Sequence, residues 1–404
     1  TETSVGVPVY DQASDSIIIT VKNRADIPEQ IGYTISEVIP EGAVDRGDGS
    51  YELDGVIYIA KTYTLTVSAK ASGKAEEGAS EYEKIDVTPV LTDEAEKTAE
   101  ATIFENKYTA EGAAQIGAEK TLKGRNLKID EFSFTLEDVT DFEAMGIEIE
   151  KDPNPLVTTV TNNAEGKVFY PKLTWKIDPD AEASSAKLNA AGDQINYIFT
   201  AEDWNAIAPN GTVSVKFAAA EVNDGQKGVT YDSKIHDLVI KLTDNDAGQI
   251  VPTINGNPLQ EIFDDIKFVN IYKADGEGKL EGSKILRGRE VEEGEFQFEV
   301  RDGNENLLAT VSNKADGSIN YPVFRYVVDP DAEAGTVYDA VNNKVIVTVN
   351  KVEDFESTTF RYYVTEVIPE EPLKGVTYST VTEPINVSVT VNQEDASRLA
   401  VAIT

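Results

Sequence analysis

The chain has 404 residues and a net charge of −36, which sets it against nucleic acid and anionic membrane surfaces, since both would repel it. Its length suits two to four domains and its 40% hydrophobic content is adequate for packed cores, while the absence of cysteine excludes disulfides and thiolate metal sites. No run approaches a membrane span, and neither a signal-peptide pattern nor a Leu-Pro-x-Thr-Gly sorting motif is visible, so the chain reads as a mature interior fragment.

In chain order the signals are mostly those of strands. Val9-Tyr10-Asp11 followed by Ile17–Val21 matches Val337-Tyr338-Asp339 followed by Val345–Val349, so residue 1 is expected to enter partway through a repeat. Tyr33–Glu37 and Tyr63–Val67 read as strands, and Arg46-Gly47-Asp48 as a turn in an Asp/Gly-rich stretch. Thr102–Tyr108 carries Asn106 on the same face as Phe104 and Tyr108; residues 109–114 read as a short linker; and Ile116–Leu122 carries Lys120 among inward apolar residues. Phe132–Leu136, Phe217–Glu221 and Leu238–Leu242 follow as strands, and Thr200 caps a short helix expected over 200–208. Ile266–Tyr272 repeats the pattern around Asn270, residues 273–278 repeat the linker, and Leu280–Leu286 carries Lys284. Phe296–Val300, Tyr362–Glu366, Ile385–Val391 and Leu399–Ile403 complete the series.

Polar residues on core faces stand out against this background. Glu37, Glu221 and Glu366 each end a strand on the side of its inward residues, as in Tyr362, Val364, Glu366. A carboxylate there is costly unless neutral or partnered. Lys120 and Lys284 stand 164 residues apart (284 − 120), as do Asn106 and Asn270 (270 − 106). Other echoes are Lys120–Arg125 with Lys284–Arg289, Glu131–Phe134 with Glu295–Phe298, and Asp178–Ala183 with Asp329–Ala334. The period is that of a whole domain. The expected division is 1–108, a partial domain without its first strands; 109–272, a complete one; and 273–404, a domain without its last strand.

These motifs resemble the immunoglobulin-like, collagen-adhesin B-type (CnaB-like) domains of Gram-positive pilus shaft and surface proteins that carry intramolecular isopeptide bonds. The matching elements are Lys-x-Leu-x-Gly-Arg, then Gly/Asp-Glu-Phe-x-Phe, a strand ending in glutamate, and Phe-x-Asn-x-Tyr. The resemblance implies an all-β chain of tandem β-sandwiches forming an elongated rod, with first and last strands side by side. It further implies that Lys120 and Asn270 condense to an amide with loss of ammonia, catalysed by Glu221. Glu37 and Asn106 would lack their lysine, and Lys284 and Glu366 their asparagine, so the cut end repeats would carry no bond within this chain. Desolvation suits the chemistry, because it frees the lysine amine and keeps the glutamic acid protonated, ready to donate to the asparagine carbonyl and to shuttle protons. Lys123, the rival nucleophile, shares its face with Thr121 and Arg125 and reads as solvated.

Function follows as expectation. The resemblance implies a structural stalk or fibre segment of a cell-surface pilin or repeat adhesin outside a Gram-positive cell, with neighbouring repeats or subunits as partners. It implies no cofactor, no membrane insertion and no enzyme activity beyond a single autocatalytic turnover. The alternative is an adhesin module binding a host protein or glycan through sandwich-end loops. Tyr170-Pro-Lys172 resembles the pilin motif whose lysine joins subunits, but Tyr321-Pro-Val323 lacks the lysine, so a repeated strand edge is the reading. With one histidine and no cysteine there is no His/Cys metal cluster, and Asp244-Asn245-Asp246 reads as a solvated loop.

Overall fold

Strands with inward residues at every second position build the molecule, and the computed structural model describes residues 6–72, 84–259 and 262–404. The middle unit packs two sheets face to face. One runs Glu150–Asp152, Ser185–Leu188, Gln194–Phe199, Lys172–Ile177, Ala110–Lys123, Ile262–Tyr272, Val229–Thr230. The other runs Val157–Thr161, Ser133–Asp138, Thr212–Glu221, His236–Asp244, Ile250–Ile254, Asn257–Pro258. Phe134, Trp175, Tyr197, Phe199, Phe217 and Phe268 fill the space between them, each at 1% exposure or less. Burying each such ring stabilises the fold by about 1.5–3 kcal/mol, which is why the alternating pattern dictates the sandwich. The helix Ala201–Ile207 is capped by Thr200, whose hydroxyl accepts from the Asp203 N–H at 3.0 Å, and it buries Trp204 against Phe199.

Ala110–Lys123 and Ile262–Tyr272, the lysine and asparagine strands, lie side by side and parallel, with Lys120 opposite Phe268 and Leu122 opposite Asn270. Thr212–Glu221, the glutamate strand, belongs to the facing sheet. The stretches expected to be linkers are corrected by the structure. Residues 110–114 begin the lysine strand and pair antiparallel with Leu173–Ile177, and Ala274–Lys279 pairs likewise with Val323–Val328. Their small residues serve close approach between layers. A Cβ on Gly112 would stand 2.0 Å from the Ile250 carbonyl oxygen, and one on Gly276 2.2 Å from that of Leu399.

The third unit is also a sandwich, with Ala274–Lys279, Val323–Val328, Lys344–Val349 and Gly335–Asp339 in one sheet and Leu307–Ser312, Gln297–Asp302, Phe360–Glu366, Thr382–Val391 and Leu399–Ile403 in the other. Tyr272, at the end of the asparagine strand, packs into this third core and donates its hydroxyl to the Ala396 carbonyl at 2.5 Å. The first unit pairs Gln30–Ser36, Thr62–Ser72 and Lys84–Thr92 in one sheet and Val44–Asp45, Ser50–Leu53, Val56–Ile59 and Lys107–Tyr108 in another. Among its described residues Tyr63 is the one fully buried apolar side chain, so this unit lacks the filled core of the other two. Arg46-Gly47-Asp48 is a turn between two of its strands, where Asp48 Oδ1 accepts from the Ser50 N–H.

Candidate functional site

Parallel pairing with this register puts Lys120 and Asn270 on the inner face as diagonal neighbours, and the glutamate strand delivers Glu221 from across the core. Lys120 Nζ lies 2.6 Å from Glu221 Oε1, and Asn270 Nδ2 donates to the same oxygen at 2.8 Å. Both side chains of the lysine–glutamate pair are 0% exposed, and Asn270 is equally buried. Phe132 and Phe134, from the Glu-Phe-x-Phe motif, form the apolar wall: Nζ sits 4.5 Å from the first ring centroid and 5.8 Å from the second.

Burial governs the protonation of this cluster. Desolvation pushes the Lys120 amine down from its ordinary value, against the pull of Glu221, and pushes the Glu221 carboxyl up, against the pull of Lys120 and Asn270. Glu221 Oε2 has no hydrogen-bond partner among the described residues. Leaving a buried oxygen bare is less costly for a neutral carboxyl than for a carboxylate, so the geometry agrees with the direction of the shift.

The asparagine amide is oriented unambiguously. The Asp232 backbone N–H, which can only donate, reaches Asn270 Oδ1 at 2.8 Å, so Nδ2 is the atom that faces Glu221. This corrects the expectation that the glutamic acid donates to the asparagine carbonyl. Glu221 instead touches the amine and the amide nitrogen at once.

The end units keep parts of this arrangement. Lys284 Nζ lies 2.5 Å from Glu366 Oε1, with side chains 12% and 3% exposed, and 4.4 Å from the Phe296 ring. Its backbone N–H donates to Gly317 O at 2.7 Å, as that of Lys120 donates to Gly166 O at 2.6 Å. The expected lysine strand is corrected here: among residues 280–287 pairing is limited to a single bridge between Ser283 and Ser318. In the first unit Asn106 Nδ2 donates to Glu37 Oε1 at 2.7 Å, but Asn106 is exposed and of Thr102–Tyr108 only Lys107–Tyr108 is strand. Among the described residues that segment pairs with Val56 and Ile57 on one side alone, whereas the asparagine strand of the middle unit is held on both.

The sequence matches the family model described as FctA, the Spy0128-like isopeptide containing domain, over residues 116–273 and again over 280–404. The chain belongs to this family. Among curated proteins no relative matches. Among solved structures, the major pilin from Streptococcus pyogenes is similar at 14% identity, with 72% of this chain and 97% of that one covered and a TM-score of 0.24. Its T-13 counterpart from the same organism stands at 11%, 73%, 98% and 0.22. The Bacillus anthracis TIE protein stands at 9% identity and a TM-score of 0.22, and while 92% of this chain is covered, it spans only 51% of that protein. Family membership rests on the sequence match.

Other candidates fall into structural roles. Lys123 is about half exposed and pairs with Asp331, and Lys172 is exposed at the start of its strand beside buried Tyr170. The buried Asn162 and Asn313 hold the Phe132 and Phe296 backbone N–H groups at 2.9 and 2.8 Å. Asp244 accepts from the Tyr108 hydroxyl at 2.6 Å, and no cluster among the described residues has the ligands for a metal ion. No helix among them is long and apolar enough to cross a membrane.

Proposed function

We propose that the chain is a structural segment of a cell-surface fibre, the stalk of a pilin or repeat adhesin outside a Gram-positive cell, and that its middle unit cross-links itself once. The observation that carries this reading is Glu221 Oε1 within hydrogen-bonding distance of both the lysine amine and the asparagine amide nitrogen. Lys120 Nζ attacks Asn270 Cγ, Glu221 relays a proton from Nζ to Nδ2, the Cγ–Nδ2 bond breaks, and ammonia leaves behind a Lys120–Asn270 amide. The reactants are held in contact, so a high effective concentration replaces turnover. The domain is a substrate of its own chemistry and acts on no outside molecule; its partners are neighbouring repeats or subunits of the same fibre.

The first test is the mass of the folded chain, expected one ammonia below the sequence mass. One loss and not three is expected, because Glu37 with Asn106 has no lysine beside it and Lys284 with Glu366 no asparagine, among the described residues. The full sequence mass in a pure, folded sample would remove the reading.

The rate should also be bell-shaped in pH. Attack needs a neutral amine together with a protonated carboxyl. Below the plateau the amine gains a proton and cannot attack; above it the carboxyl has none to deliver. Burial lowers Lys120 from its ordinary value and raises Glu221 from its own, so both limbs are displaced from where the free groups would place them. Refolding at a series of pH values, with ammonia loss followed by mass, checks this. A rate that climbs or falls through the whole series with no maximum would contradict it.

A further inference from the structure

A pattern outside the lysine, glutamate and asparagine motifs recurs three times: Gly55-Val56-Ile57-Tyr58-Ile59, Gly228-Val229-Thr230-Tyr231-Asp232 and Gly375-Val376-Thr377-Tyr378-Ser379. Each glycine has a left-handed backbone, with φ of 78°, 80° and 80°. In every case the residue after the tyrosine aims its backbone N–H into the site. Asp232 N donates to Asn270 Oδ1 at 2.8 Å, Ile59 N to Asn106 Oδ1 at 3.4 Å, and Ser379 N to Glu366 Oε2 at 2.8 Å.

The donor is fixed by its surroundings. The Tyr231 ring meets Phe132 edge-on at 5.7 Å, and the Tyr378 ring meets Phe296 in the same way at the same distance. These are the phenylalanines beneath the two lysine amines. Each tyrosine hydroxyl accepts a backbone N–H from its own loop, Gln226 at 3.2 Å and Leu373 at 3.3 Å. In the middle unit the Asp232 carboxylate further accepts from Val269 N at 3.0 Å and Lys234 N at 2.9 Å, tying the loop to the asparagine strand.

We propose that the Asp232 backbone N–H is the oxyanion donor of the cross-linking reaction, with Tyr231 and the Asp232 carboxylate as its positioning groups. This rests on the reading of Lys120, Glu221 and Asn270 given above. When Lys120 Nζ adds to Asn270 Cγ, the carbonyl π electrons move onto Oδ1. The charge therefore develops on the atom that Asp232 N already holds, while Glu221 serves the two nitrogens. A donor preset at the oxygen that becomes anionic needs no reorganisation during the step, and removal of one such group from an enzyme's oxyanion hole costs about 100- to 1000-fold in rate. The division of labour also accounts for a single carboxyl sufficing: it has protons to move, and the oxygen is cared for by the backbone.

The test replaces Asp232 with its α-hydroxy analogue, L-malic acid, which turns the donor N–H into an ester oxygen and keeps the side chain. Ammonia loss is timed by mass from the start of refolding. The expected result is a slowing of about 100- to 1000-fold, with Asp232→Ala, which retains the N–H but loses the carboxylate that positions it, slowed by clearly less than the ester. Equal rates for the ester and the wild type would overturn the proposal, as would Asp232→Ala slowing as much as the ester, since the effect would then belong to the carboxylate. A wild type that keeps its full mass would sink the underlying cross-link instead, so the two failures are distinct. Should the ester chain not fold, hydrogen exchange in Lys120→Ala gives a second readout. Adding Asn270→Ala should expose the Asp232 amide and leave the Val269 amide protected. Unchanged protection at Asp232 would count against the donor role.

Discussion

Lys120→Ala is expected to lower the unfolding free energy of the middle unit by about 5 kcal/mol, the order expected for opening a covalent loop of this size. The amide closes a loop of 150 residues (270 − 120), so the unfolded chain of the wild type is strongly restricted and that of the variant is not. Denaturant titration of the two proteins measures the difference. Asn270→Ala should cost nearly as much, and the double variant little more than either, because both substitutions delete the same bond. A change below about 1 kcal/mol for Lys120→Ala, in the range of an ordinary point substitution, would show that the chain is not stapled at this site.

Glu221→Ala is expected to fold and to retain the full sequence mass. Phe217, Ala219 and the rest of the glutamate strand still pack, and Lys120 and Asn270 still lie on adjacent strands, but no group remains that touches both nitrogens. The variant should therefore show an intact sandwich by circular dichroism and a thermal midpoint close to that of Lys120→Ala. Ammonia loss at the wild-type rate in Glu221→Ala would assign the proton relay to another group.

Lys120, Glu221 and Asn270 were legible because a charged or amide side chain among alternating Ile, Ala and Phe is an anomaly that period-two patterning exposes directly. The sandwich character of the middle and third units was legible for the same reason. Residues 110–114 and 274–278 were not, since Ala and Gly resemble linker composition whether they serve flexibility or, as at Gly112 and Gly276, room for a neighbouring backbone. Asn106 illustrates the limit of patterning: its sequence neighbourhood is that of Asn270, yet it is exposed, because burial depends on strands that a local pattern does not contain. Asp232 escaped for a different reason. Its contribution is a backbone N–H, which every residue but proline has, and only the recurrence of Gly-Val-x-Tyr around it leaves a trace in the sequence.

The parallel arrangement of the lysine and asparagine strands has a mechanical consequence. The chain enters the middle unit at Ala110, at the start of one strand, and leaves it through Tyr272, at the end of the other. With Lys120 joined to Asn270, tension applied at the two ends would pass along ten residues, through one amide and out along two more, bypassing everything between. Those bypassed residues, extended at roughly 3.4 Å each, hold about 500 Å of slack. Stretching such a unit would meet covalent stiffness from the outset, and the hydrogen bonds and core of the sandwich would carry none of the load.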